Sequence, residues 1–359
     1  MHKPKLKVLT IDGGGIRGIL PCAILAELER RLGKPIAETF DLIAGTSTGG
    51  IIACGLNVPH PTTAGKPKFS AAQLGELYEK NGADIFKKRG GIFSGVTKLF
   101  GKSFAHDGLE TLLRDYFGDA QLNQTFSELL VTSYDIEHRK PFYFLSRLAK
   151  QNPQAENFPL LDIARSTSAA PTYFEPNALP WVNGDKLTLV DGGVFANNPS
   201  MLAYAEATEM LRAKPSAVAA ATTASEQHDV VDDLDLEAFV PTVSTGASDI
   251  FMLSLGTGRV VRPYRYESAK SWGMAQWIRP IIDILMQGVS ESVDYQMNYV
   301  LPPHADGTKH YVRINPVIPE ECSEMSDVSE KNIQGLQAVA RQAVEENEAL
   351  IEEVCRVLA

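Results

Sequence analysis

The chain has 359 residues, 44% of them hydrophobic and 22% charged, enough to bury a core in one large domain or two. That apolar content excludes disorder over the whole length. Lys and Arg number 34 against 44 Asp and Glu, a net charge of −10. The basic field that binds polymeric nucleic acid is missing, and so is a purely electrostatic grip on anionic membranes.

The segment Met1–Lys5 runs straight into a short apolar strand without the apolar core of a secretory signal. Cys22, Cys54, Cys322 and Cys355 form no CxxC pair and read as free thiols in a reducing compartment. A cytoplasmic protein is expected, with any membrane contact peripheral. The longest uncharged stretch, Leu42 to Gly65, is broken by Gly, Ser, Thr and Pro and does not read as a membrane span.

Strand-like and helix-like segments alternate, which predicts an α/β fold with a mostly parallel sheet. Val8–Ile11 reads as a buried strand. After a glycine turn, Pro21–Leu32 reads as a helix, with Pro in its first turn and Gly33 beyond its end. Leu42–Ala44 is a second strand, running into Gly45-Thr46-Ser47-Thr48-Gly49 and an apolar helix start. His60–Lys68 reads as a loop. Leu129–Tyr134, Phe142–Leu145, Leu187–Val190, Ile250–Leu255 and Tyr311–Ile314 read as strands, and Leu160–Ala169 and Pro199–Arg212 as helices. Ser326–Leu358 carries one apolar stripe and is expected as a single amphipathic helix docked on the core.

Two segments interrupt the pattern. Pro215–Gly258 has no Lys or Arg and packs Glu226, Asp229, Asp232, Asp233, Asp235 and Glu237 close together. It reads as a solvated insertion, or else as a lid or regulatory flap. Trp272–Met286 reads as a core helix covering the sheet, or else as a lid or interfacial helix.

Three constellations carry chemistry. Gly45-Thr46-Ser47-Thr48-Gly49 is a G-x-S-x-G between a strand and a helix, where small neighbours let a sharp turn lift the serine hydroxyl clear of the sheet. The helix start behind it favours a developing oxyanion. Asp12-Gly13-Gly14-Gly15-Ile16-Arg17-Gly18 also fits a dinucleotide-binding turn, but the next strand ends without the acidic residue that would hold a ribose. Its glycine amides suit an anion nest instead, with Arg17 adding positive charge. Asp191-Gly192-Gly193 closes a strand and is expected at the same carboxyl edge as Ser47.

These segments, with Ala164-Arg-Ser-Thr-Ser-Ala-Ala-Pro-Thr-Tyr-Phe174 and Asp191-Gly-Gly-Val-Phe-Ala-Asn-Asn-Pro199, resemble the patatin-like phospholipase family in order and spacing, over roughly residues 7–211. A weaker echo follows at Leu253–Gly258. The resemblance implies a three-layer α/β/α fold and hydrolysis of lipid acyl esters without a metal or other cofactor. It implies Ser47 as nucleophile, Asp191 as general base and Gly13, Gly14 and Gly15 with Arg17 as oxyanion hole. Gly18, Gly45, Gly49, Gly192 and Gly193 complete the motifs.

A Ser-His-Asp triad through His304 or His310 is the internal rival; the rival from another class is an idle lipid or nucleotide sensor on the same fold. The expected organisation is a catalytic core at 7–211, an acidic insertion at 212–249 and completion of the same domain at 250–359. Phospholipid at a membrane surface is the expected partner. Some bacterial relatives of similar length are phospholipases switched on by a cyclic nucleotide in anti-phage defence, so such an activator is a further expectation. Head-group preference and oligomeric state, a homo-oligomer included, are not set by the sequence.

Overall fold

The computed structural model describes residues 3–85, 106–213, 249–261 and 263–359. In chain order the elements begin with β1 (Leu6–Ile11), α1 (Ile19–Leu32), β2 (Leu42–Thr46), α2 (Thr48–Leu56), α3 (Ala71–Ile85) and α4 (His106–Phe117). Next come β3 (Glu128–Asp135), β4 (Lys140–Leu145), α5 (Ser146–Gln151), α6 (Pro153–Glu156), α7 (Leu160–Thr167), β5 (Asn177–Pro180) and β6 (Lys186–Asp191). They are followed by α8 (Gly193–Ala196), α9 (Ser200–Ala213), β7 (Ile250–Leu255), β8 (Arg259–Val260), α10 (Tyr266–Ala269) and α11 (Met274–Val300). The last are β9 (Tyr311–Ile314), β10 (Val317–Ile318), α12 (Glu330–Glu346) and α13 (Glu348–Leu358).

Eight strands form one sheet in the order β5-β6-β3-β2-β1-β7-β9, with β4 paired on β3. The five strands β3, β2, β1, β7 and β9 run parallel. β4 and β6 run antiparallel to β3, and β5 antiparallel to β6. Alternate side chains leave opposite faces of a strand. Leu9, Ile11, Ile43, Phe251 and Leu253 join the larger apolar layer, which contains α1, α2, α7 and α12. Leu6, Val8, Leu42, Ala44, Ile250 and Met252 join the smaller one, with Ala203 and Ala207 of α9 and Met297 of α11. The fold is therefore a three-layer α/β/α sandwich. Strands buried on both faces explain why they read as continuous apolar runs.

β7 pairs with β1 in parallel, so residues from 250 onward lie in the same sheet as the first strands. The expected single C-terminal helix is two, α12 and α13, meeting at Asn347. The Asn347 side-chain amide donates to the Ala343 carbonyl at 2.8 Å, a local bond that competes with the helix ladder. The acidic block Glu226–Glu237 lies outside the described residues.

Gly49 sits where α2 crosses the end of β1, and a Cβ there would lie 2.1 Å from the Ile11 carbonyl oxygen. Backbone cannot swing aside as a side chain can. Gly49→Ala is therefore expected to destabilise the fold by about 3 kcal/mol. Chemical denaturation measures this; a midpoint equal to that of the parent would refute it.

Candidate active site

Ser47 lies between the end of β2 and the start of α2 with φ 55° and ψ −123°. Such a conformation costs a residue with a side chain on the order of 1–3 kcal/mol and persists only when its surroundings hold it. Three features do so here. The Ser47 N–H donates to Thr167 Oγ1 at 2.8 Å. Thr46 Oγ1 donates to the Ala196 carbonyl at 2.7 Å. The strand and helix fold back so closely that a Cβ on Gly45 would lie 2.2 Å from the Gly49 carbonyl oxygen. The two glycines of G-x-S-x-G are thus a steric requirement of the elbow.

Asp191 reaches Ser47 by a route the sequence reading did not anticipate. It is expected at the same carboxyl edge as Ser47 and does lie beside it, but on β6, which runs opposite to β2. On β3, Thr132 pairs with Thr46 of β2, and the next residue, Ser133, pairs with Asp191 of β6. With β4 on the other edge of β3, β2 and β6 share one edge and end head to head. The Asp191 carboxylate, fully buried, accepts the Gly193 N–H at 2.7 Å and lies beside Ser47 on the wall of one cavity. Burial pushes its pKa up to about 7, and the nearby Ser47 hydroxyl and Gly193 amide only partly oppose this. Gly192 follows as the turn into α8.

The glycine loop after β1 is clamped from several sides. Gly13 donates its N–H to the Asn197 carbonyl at 3.1 Å, and its carbonyl accepts from Thr257 Oγ1 at 2.6 Å. The Gly14 carbonyl accepts the Arg17 N–H at 3.2 Å and Arg17 Nε at 3.3 Å. Across a trans peptide the carbonyl and the next N–H point opposite ways. Tying these two carbonyls therefore turns the Gly14 and Gly15 N–H groups the other way. Gly14 and Gly15 line the cavity that contains Ser47 and Asp191. Of the three expected cradle glycines, Gly13 has already given its N–H to Asn197. Arg17 is buried, and desolvation lowers its pKa to about 10, which leaves it cationic at neutral pH. Gly18 caps α1.

Asp12, at the root of the loop, is buried in a two-pronged ion pair. Arg313 Nη2 meets Asp12 Oδ2 at 2.6 Å and Nη1 meets Oδ1 at 3.2 Å. Burial opposes the charge on Arg313, but the Asp12 carboxylate outweighs it and raises its pKa. Ser290 of α11 lies beside Asp12 and accepts from Asn197 Nδ2 at 3.0 Å. Thr167, Asn197 and Thr257 lie inside segments quoted for their pattern, yet nothing marked them individually. Ser290 and Arg313 carry no sequence signal.

The cavity measures about 190 Å³. Its walls are apolar, with Ile51, Phe174, Val194, Ile282, Leu285 and Met286 among them. His304 and His310 line a different cavity, with Lys309 and Arg356. They lie beside the starts of β7 and β9, at the end of the sheet opposite Ser47. The geometry gives neither histidine a place beside the serine.

A buried, strained serine on an elbow, a buried carboxylate beside it and an apolar cavity at both make this the candidate active site of the α/β/α fold. Comparison with known proteins narrows it. The family model for patatin-like phospholipases matches residues 9–204. Patatin-like protein 3 of Arabidopsis thaliana is 32% identical over 372 residues, covering 96% of this chain and 80% of that protein. Patatin-like protein 2 of the same plant is 34% identical over 330 residues, 86% of this chain and 74% of that one. Patatin-T5 of Solanum tuberosum is 30% identical over 343 residues, 91% of this chain and 80% of that one. The chain belongs to the patatin-like phospholipase family, and it is a serine-dependent lipid acyl hydrolase.

Removing one partner of a buried ion pair leaves the other charge without compensation. Arg313→Met is expected to lower stability by about 3–5 kcal/mol, whereas the double variant Asp12→Asn/Arg313→Met recovers much of that loss. Denaturation midpoints of the three proteins test it, and equal losses in single and double variants would contradict it.

Proposed function

We propose that Ser47 and Asp191 act as a catalytic dyad that cleaves carboxylic ester bonds of phospholipids, and of lysophospholipids or neutral acylglycerols less readily. The observation that carries this reading is a buried carboxylate, Asp191, set beside the strained Ser47 hydroxyl on the wall of one apolar cavity. An ordinary carboxylate, with a pKa near 4, is a poor base toward a hydroxyl. Raised to about 7, Asp191 is a stronger base and is still largely ionised just above neutrality.

Asp191 takes the hydroxyl proton as Ser47 Oγ adds to the ester carbonyl carbon. The N–H groups of Gly14 and Gly15 receive the oxyanion, where one such donor is worth roughly 2.7–4 kcal/mol. Asp191 then passes its proton to the leaving alcohol oxygen as the ester C–O bond breaks, leaving the acyl group on Ser47. Water gives its proton to Asp191 and attacks the acyl carbon. Fatty acid leaves, and the serine hydroxyl is restored. The apolar walls hold the acyl chain and keep bulk water from the carboxylate.

Ser47→Ala and Asp191→Asn are each expected to reduce phospholipid hydrolysis by about 10³-fold or more, while His304→Ala and His310→Ala singly keep most of it. Loss with a histidine variant comparable to that with Ser47→Ala would overturn the dyad. Running the assay with cyclic di- and trinucleotides tests the activation that the family resemblance implies.

The pH dependence has a definite sign. The base must be unprotonated, so kcat/KM is expected to rise tenfold per pH unit below about 7 and level off above it. Stability moves the other way. A carboxyl whose folded pKa is raised holds its proton more tightly when folded, so its contribution falls as pH climbs from about 4 toward 7. Asp191→Asn removes that penalty and is expected to melt at or above the parent's temperature at pH 8, while inactive. A lower melting temperature would show that the carboxylate's burial is not what sets its pKa.

A further inference from the structure

We propose that the outward face of the first half of α11 is a bilayer-docking surface, which seats the mouth of the cavity on a phospholipid membrane. This rests on the lipid-hydrolase reading above and adds how the substrate arrives.

A helix on a globular core needs one apolar stripe. Between Trp277 and Met297, α11 has two. The inward stripe runs through Ile282, Met286, Val293 and Met297; its first two residues line the cavity and the last two pack in the smaller apolar layer. The second stripe, Trp277, Ile281, Ile284 and Leu285, recurs at helical spacing on the other side. These four side chains and Met274 are between 40% and 89% exposed. The reading of this segment as a core helix accounts for the first stripe and not the second.

The surroundings suit a lipid interface. From Met274 to Ser290 the only charged residues are Arg279 and Asp283. Trp277 packs edge-on to Trp272 with ring centres 5.0 Å apart, and Trp272 packs on Tyr264 at 5.4 Å. Aromatic side chains with a polar tip favour the boundary between headgroups and acyl chains. Among the described residues no helix is long and apolar enough to cross a membrane, so α11 would lie along the surface.

Continuity with the cavity selects the bilayer as occupant. Leu285 and Val194 are both half exposed and both line the cavity. An acyl chain leaving a membrane under this face passes from lipid to cavity wall without crossing water. A second copy of the chain seated there would close the mouth. With a net charge of −10, attachment must come from apolar insertion rather than attraction to anionic headgroups.

The test uses Ser47→Ala protein, which does not consume its target, sedimented with phosphatidylcholine vesicles. Binding is expected to persist in about 1 M salt, where charges are screened within about 3 Å. Ile281→Asp/Ile284→Asp in that background is expected to weaken binding at least about tenfold. On the otherwise native chain the same pair is expected to slow vesicle hydrolysis similarly and leave a soluble short-chain ester untouched. Should the aspartates prevent folding, Ile281→Ser/Ile284→Ser gives the same comparison. Vesicle binding equal to the parent's overturns the proposal. So does a change from dimer to monomer in sedimentation equilibrium with vesicle binding unaltered. If the native chain hydrolyses neither ester, the dyad reading fails while the sedimentation arm still decides the docking.

Discussion

A buried carboxylate must find its polar partners inside the protein, and Asp191 has the Gly193 amide, which donates to it, and the Ser47 hydroxyl beside it. That closeness exists because two strands of opposite direction share one edge of β3 and stop at adjacent residues, Thr132 and Ser133. The rest of the site follows from the collision of their ends. β2 must turn at once into α2, which strains Ser47. β6 must turn at once through Gly192 and Gly193 into α8. The chain leaving α8 then passes the glycine loop closely enough for the Asn197 carbonyl to take the Gly13 N–H.

Each of these features costs stability. The Ser47 backbone is in a region that side chains disfavour, and the Asp191 charge has lost its hydration. The offset is the sheet beneath them. β1, β2 and β7 bury apolar side chains on both faces, which leaves their ends little freedom to relax. Local conflict at a site held by a consistent core is the pattern expected of a functional centre.

Much of this was legible in the residues. The buried strands showed themselves as apolar runs, and the elbow showed itself because only glycine fits at Gly45 and Gly49. What was missed has physical reasons. Apolar periodicity carries no strand direction, so β6 could not be read as antiparallel. Arg313 sits in a four-residue strand where one charged position looks like an ordinary solvent-facing one; only the fold shows Asp12 opposite it. Asn347 breaks a stripe that continues in register on both sides, so the pattern hid the break. In α11 both stripes are apolar, and composition alone cannot say which one faces protein.

The family match ends at residue 204, yet the site does not. Ser47, Asp191 and the glycines lie within it. Thr257, Ser290 and Arg313, which hold the loop, lie beyond it, as do the walls Ile282, Leu285 and Met286. The serine and carboxylate and the groups packed around them thus belong to different parts of the chain. α11 reaches both: Ser290 lies beside Asp12 and Asn197 at the glycine loop, and toward its start the same helix lines the cavity. Substitutions beyond residue 204 can therefore reshape the cavity wall or the glycine loop without touching Ser47 or Asp191. On one shared fold, that is a physical route by which the cavity wall can vary while the serine elbow stays the same.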